Sequence, residues 1–173
     1  MRKLRHDEIV AFQKIQSDKN RRFPVSAVLE NIRSLHNVGS MFRTADGAGL
    51  NKLYLCGFTG APPRPEIEKS ALGSTDYVNW ERQEETLTLV RQLKSMGEQI
   101  VVFEHCEQAK SYNRIEYRYP CVLVFGNEVN GVSSEVCALA DETVLIPMYG
   151  SKQSLNVSVS FGIGVYNAIA SLS

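Results

Sequence analysis

Apolar residues along this chain gather in short runs, separated by amphipathic stretches and small polar clusters. The runs "VSAVLE" (25–30), "KLYLCG" (52–57), "QIVVFE" (99–104), "CVLVFG" (121–126) and "ETVLIPM" (142–148) predict strands. Between them the period changes. "VGSMFRTADGAG" (38–49) is helical, with Met41, Phe42 and Ala45 inward and Gly47 and Gly49 stopping it. "TLTLVRQLKSMG" (86–97) is an amphipathic helix ending at Gly97, and "SSEVCALA" (133–140) is a short helix capped by Ser133 or Ser134. "FTGAPPRPE" (58–66), rich in Pro and Gly, reads as a loop, and residues 155–172 form the last helix. Residues 1–22 form a basic, loosely amphipathic helix with Ile9, Phe12 and Ile15 at helical spacing. It fits a surface helix packed by one edge and an RNA-contacting arm equally well. Short apolar strands alternating with helices predict an α/β protein with a parallel sheet covered on both faces. In such sheets ligands bind beyond the carboxyl ends of the strands.

Length and composition narrow the class. The 173 residues suffice for one domain with a sizeable core, and 43% hydrophobic with 22% charged residues is ordinary for a globular protein. A formal net charge of zero argues against gripping nucleic acid by bulk charge and leaves room for a local basic patch. The N-terminus lacks the apolar stretch of a secretory signal, and no run approaches the ~20 residues of a membrane span. Cys56, Cys106, Cys121 and Cys137 form no CxxC pair and read as small core residues of a reduced, cytoplasmic protein. His6, His36 and His105 show no metal-ligand spacing, so no metal is expected.

Three polar clusters fall at strand ends. In "ENIRSLHNVGSMFRTADGAG" (30–49), Asn31, Arg33, Asn37 and Arg43 follow a strand and enter a helix. An Arg inside an otherwise apolar helix is costly unless it pairs or faces a polar cleft. Arg43 is therefore either half of a structural ion pair or a partner for a phosphate or reacting hydroxyl. In "VLVFGNEVNGVSSE" (122–135), Gly126 and Gly131 would let backbone approach a ligand closely, and Glu128 lies between them. Alone, Glu128 would be a solvated loop carboxylate. The segment is no GxGxxG motif and lacks the Lys of a phosphate loop. In "IPMYGSKQSLNVSVSFGIGVYNAI" (146–169), Ser154 and Asn156 stand where the last helix begins. On its own, Ser154 would be a simple N-cap.

Together and in this order, the three segments resemble the TrmH/SpoU-type RNA ribose 2′-O-methyltransferases of the SPOUT class. "KSALGSTDYVNW" (69–80) is similar to the family's segment between first and second motifs. The resemblance covers 25–172 and divides the chain into a short basic N-terminal helix (1–24) and a SPOUT methyltransferase domain (25–173). It implies a C-terminal deep trefoil knot, a homodimer with the site near the subunit interface, and S-adenosylmethionine as methyl donor. Arg43 and Asn37 match the residues at the reacting ribose and its phosphate. Glu128 matches the polar network, and Ser154 and Asn156 match the third-motif pair. Gly126, Ile146, Met148 and Leu155 fall where the donor's adenosine and methionine parts are held, beside Glu128 and Asn156. Many relatives carry a separate N-terminal RNA-binding domain. Here only residues 1–24 precede the first strand, which leaves RNA choice to that helix, the dimer surface or a partner protein.

The implied substrate is structured RNA, tRNA or rRNA. The ribose 2′-hydroxyl is a very weak acid, so it must be aligned in line with the methyl carbon while its proton leaves. A guanidinium is a poor base near neutral pH. On this resemblance Arg43 would hold phosphate and stabilise developing charge rather than act as base, while phosphate, water and Arg43 itself stay open as proton acceptor. Two rivals remain: a SPOUT relative methylating a base nitrogen, and a SPOUT-fold RNA-binding protein without catalysis. The last helix carries Phe161, Ile163, Val165, Tyr166 and Ile169, more apolar surface than one face of an isolated domain needs, with Gly162 and Gly164 permitting close packing.

Overall fold

The structure, a computed structural model, describes residues 2–16 and 22–172, with backbone alone for 13–16. Helix α1 (His6–Gln16) opens the chain. It starts in the way its sequence allows: the Glu8 carboxylate accepts the Arg5 backbone N–H at 2.8 Å and pairs with the Arg2 guanidinium at 2.8 Å. Ile9 and Phe12 are 40% and 53% exposed, so the expected packing by one edge is not met by these side chains. The side chain of Ile15 and all of residues 17–21 lie outside the described residues.

Seven strands follow: β1 (Phe23–Glu30), β2 (Leu50–Cys56), β3 (Trp80–Gln83), β4 (Gln99–Phe103), β5 (Lys110–Ser111), β6 (Cys121–Phe125) and β7 (Glu142–Leu145). They form one sheet in the order β3-β2-β1-β6-β4-β7-β5, and every pairing is parallel. Helices α2 (Leu35–Ala48), α3 (Pro65–Ala71) and α6 (Val157–Ala170) accompany one side, and α4 (Thr86–Ser95) and α5 (Ser134–Cys137) the other. The two-residue period sorts the side chains. Val25, Ala27 and Leu29 of β1 join Leu123 and Phe125 under α2 and α6. Val28 joins Val122, Val124, Val90 and Leu93 on the opposite face.

Several differences from the sequence pattern have local causes. The segment read as a loop ends in α3, because Pro65 at the first helical position, followed by Glu66 and Glu68, makes a good helix start. Edge strand β3 reads "WERQ", half-exposed, and β5 is two residues long, so neither carries an apolar run. Gly49, at φ 66°, ends α2, while Gly47 stays inside its last turn. Gly164 lets α6 lie against Phe103, whose ring a Cβ there would meet at 2.6 Å. Its close packing is thus inside the subunit, and Phe161 and Val165 are likewise buried in the core. Cys56 and Cys121 are buried, and desolvation pushes both thiols up to about 12. Among the described residues no helix is long and apolar enough to cross a membrane.

Candidate active site

Register brings the sites' loops together. Leu29, Phe125 and Phe103 lie in one row across β1, β6 and β4. The loops leaving that row then part: β1 leads toward β2, and β6 leads toward β7, on opposite sides of the sheet order. Such a divergence opens a crevice at the carboxyl ends of the strands. A cleft of about 470 Å³ occupies this end, lined by Phe103, Glu104 and His105, by Phe125–Val129 and Gly131, by Val144–Ile146, and by Ser154–Val157 with Ser160.

Carboxylates at the ends of two strands shape its wall. Glu30, 4% exposed, accepts the Ser133 backbone N–H at 2.9 Å and its hydroxyl at 2.8 Å. Glu104 accepts the Val132 N–H at 2.8 Å. Asn127 accepts the N–H groups of Val129 and Asn130 and donates to the Asn31 carbonyl at 2.7 Å. The 127–131 loop closes on itself through paired Asn127–Gly131 backbone bonds of 2.9 and 3.1 Å. It is a rigid wall, with its buried polar groups partnered. The glycines belong to that construction. A Cβ on Gly126 would stand 2.2 Å from the Gly131 carbonyl carbon and the Val132 nitrogen, and one on Gly131 would stand 2.0 Å from the Glu104 carboxylate. The close approach expected of a ligand is, at both glycines, an approach of the chain to itself.

The three clusters meet in one hydrogen-bonded line. Glu128 accepts the backbone N–H groups of Arg33 at 3.0 Å and Ser34 at 3.2 Å, and the Asn37 carboxamide at 3.2 Å. Asn37 in turn accepts Asn156 Nδ2 at 3.2 Å. Asn156 Oδ1 accepts the Ser158 N–H at 2.8 Å and its hydroxyl at 2.7 Å, which makes Asn156 the N-cap of α6. Partial burial pushes the Glu128 carboxyl up. The N–H groups of Arg33, Glu128 itself and Ser34, with the Asn37 carboxamide, outweigh this and hold it below the usual carboxylate range. Glu128 is therefore no idle solvated carboxylate; it joins the turn after β1 to the turn after β6.

The remaining candidates separate. Gly126, Ile146, Leu155 and Ser154 line the cleft with Glu128 and Asn156. Ser154 does so exposed and without a hydrogen bond to any described residue, and the capping role considered for it belongs to Asn156. Met148 is half-buried but outside the cleft, since β7 ends at Leu145 and Ile146 is the last residue of that segment to face it. Arg43 is not brought to the line. It sits on the exposed side of α2, about 120° round the axis from Asn37, and makes no ion pair with the described residues. The burial cost that singled it out does not exist, and the structural ion pair is not found among the described residues. Among the described residues no group of three or more His, Cys, Asp or Glu could hold a metal ion.

Residues 24–166 match the model of the SpoU rRNA Methylase family. The chain belongs to this family. A curated relative, a tRNA (guanosine(18)-2′-O)-methyltransferase of Aquifex aeolicus strain VF5, is 36% identical over 140 residues, 80% of this chain and 65% of the relative. The chain thus spans just under two thirds of that protein. Among solved structures, the SpoU fold here is similar to the A. aeolicus TrmH/SpoU tRNA modifying enzyme, with a TM-score of 0.82 at 31% identity, covering 94% of this chain and 83% of that one. It is similar to an AdoMet-bound rRNA methyltransferase from Sinorhizobium meliloti to the same TM-score at 29% identity, over 89% and 59% of the two chains.

The double role of Asn156 gives a separable outcome. Asn156→Ser keeps an N-cap oxygen and loses the reach to Asn37. Its melting temperature stays near wild type. Asn156→Ala loses both, costing ~1 kcal/mol of stability. Thermal melts distinguish the two.

Proposed function

We propose that this protein transfers a methyl group from S-adenosylmethionine to a ribose 2′-hydroxyl of structured RNA. The observation that carries the reading is the hydrogen-bonded line Glu128–Asn37–Asn156 on the rim of the cleft, built from all three family motifs. The cleft suits a donor of nucleoside size: about 470 Å³ falls in the range of small-molecule sites, and Phe103, Phe125, Ile146 and Leu155 supply apolar walls beside backbone groups. When bound there, the donor's sulfonium supplies an electrophilic methyl group. The protein's task is the acceptor. Asn37, with its carboxamide fixed by Glu128 and Asn156, orients the ribose. Ser154 offers a free hydroxyl on the same rim. Arg43, exposed on α2 outside the cleft and paired with no carboxylate among the described residues, takes an RNA phosphate and so holds the acceptor strand in place.

The trefoil threading belongs to the same proposal. After β7, at one side of the sheet, the chain crosses the carboxyl ends of β4 and β6 before α6 packs on α2 and β1. Tyr117 and Tyr119, from the crossover before β6, donate to the Asn167 side chain and the Ala168 carbonyl of α6. A homodimer fits the apolar surface that α6 leaves outside the core, where Val159 and Tyr166 are 49% and 53% exposed. A cytoplasmic location accords with RNA as substrate and with free thiols. RNA selection falls to residues 1–24, to the dimer surface or to a partner protein. The relatives' names divide between tRNA and rRNA, so both are candidate substrates.

Isothermal calorimetry tests the donor site. S-adenosylmethionine binds in the micromolar range, about −8 kcal/mol, and NAD gives no heat. Absence of heat at high donor concentration removes the cleft as a methyl-donor site.

A further inference from the structure

Beside the cleft, across the 127–131 wall, lies a second groove of about 260 Å³. Its lining includes Asn31, Arg33, Phe58, Asn127 and Asn130. Phe58 is 58% exposed, and Arg33 is exposed with no hydrogen bond or ion pair from its guanidinium to the described residues. An exposed aromatic is common on a floppy loop. Here the backbone on both sides of it is locked.

Asn31, at φ 57°, and Gly57, at φ 62°, interlock at the ends of β1 and β2. The Asn31 side-chain oxygen accepts the Phe58 backbone N–H at 3.2 Å and occupies the place where a Gly57 Cβ would be, 2.0 Å away. On the other side, Thr59 is 1% exposed. Its hydroxyl accepts the Ile32 N–H at 3.0 Å and donates to the Leu29 carbonyl at 2.9 Å. A non-glycine residue in the left-handed region and a buried threonine thus hold a phenyl ring in water. Preorganisation of this kind lowers the ordering cost of whatever the ring meets. The same turn is tied to the reaction site, because the Arg33 N–H donates to Glu128 and Asn31 accepts from Asn127 in the wall.

We propose that Phe58 and Arg33 form a ledge for a nucleotide flanking the one that is methylated. Phe58 stacks on its base and Arg33 grips its phosphate. The inference rests on the RNA methyl-transfer reading above. A π-face stacks on any base, so Phe58 contributes affinity and register; a planar guanidinium matches phosphate. The groove shares Asn127 and Gly131 with the cleft, so a strand crossing the rim at Glu128 and Asn37 reaches it without a break.

The test uses the full chain with unmodified tRNA and rRNA-fragment transcripts, measuring RNA binding, methyl transfer, donor binding and thermal melting together. Phe58→Ala weakens RNA binding five- to about 150-fold, the range of one lost base stack. KM for RNA rises in step, while donor affinity and melting temperature stay at wild-type values. Phe58→Trp restores binding. Arg33→Ala lowers the slope of log affinity against log salt by about one phosphate contact. If the wild type methylates RNA and Phe58→Ala binds it equally well, the ledge is wrong and the methyl-transfer reading stands. If Phe58→Ala also loses donor binding or stability, Phe58 is a structural residue and the ledge is again wrong. If the wild type neither binds nor methylates either transcript, both readings fall.

Discussion

Arg43→Ala and Arg43→Lys each lose at least ~100-fold in methyl-transfer rate, about 2.7 kcal/mol of transition-state stabilisation, with unchanged donor affinity and fold stability. The expectation follows from where Arg43 stands. It is exposed on α2 and touches no carboxylate among the described residues, so its removal leaves no buried partner behind and no hole in the core. Surface changes of that kind move stability within about 0.5 kcal/mol. Arg43 is also absent from the cleft walls, so the donor should bind without it. The lysine variant separates charge from shape: it keeps a cation and loses the planar fork that grips phosphate through two parallel bonds. Single-turnover transfer, donor calorimetry and a thermal melt on the same preparations check all three parts. A folded, donor-binding Arg43→Ala that transfers methyl at near wild-type rate would remove Arg43 from the mechanism.

Gly126→Ala carries the second large effect, with the opposite signature. The added Cβ meets the backbone of Gly131 and Val132, at 2.2 Å, rather than the end of a flexible side chain. Something in the 126–133 loop must shift. That loop is pinned by Glu30 at Ser133, by Glu104 at Val132 and by Glu128 at Arg33 and Ser34, so the shift is spread over all three strand ends. Overpacking of this kind costs ~1–3 kcal/mol, which for a chain of this size lowers the melting temperature by roughly 2–12 °C. Donor affinity falls at least 100-fold in calorimetry, because the moved backbone is itself a wall of the cleft. Normal donor binding by a folded Gly126→Ala would show that the loop contributes nothing to that site.

The core strands and their order along the chain were legible because "VSAVLE", "QIVVFE" and "CVLVFG" each hold a run of consecutive apolar residues, continuous rather than alternating. That is the mark of strands buried on both faces. The polar line was legible only through resemblance. Composition and spacing left Glu128 as an ordinary loop carboxylate, and its partners are 91–95 residues distant. Other site builders were missed although they carried a signal. Glu30 and Glu104 each terminate an apolar strand, where a carboxylate meets the free N–H groups of the next loop. Arg43 shows the reverse: an argument from burial cost chose a residue that is not buried. The burial logic failed because α2 has an exposed side that its apolar residues do not reveal. Phe58 and Arg33 could not have been paired from sequence, since only the interlocked turns after β1 and β2 bring them to one groove.

Nucleoside analysis of RNA tests the central claim most directly. Unmodified tRNA and rRNA-fragment transcripts are incubated with the protein and methyl-labelled S-adenosylmethionine, digested to nucleosides and resolved by mass spectrometry. The account predicts label in a 2′-O-methylnucleoside, with the methyl mass on the ribose fragment, appearing at least ~100-fold more slowly in the Arg43→Ala reaction. Label on a base fragment would make the protein a base methyltransferase. Transcript bound without label in any nucleoside, by protein that binds the donor, would make it an RNA-binding protein and contradict the proposed reaction.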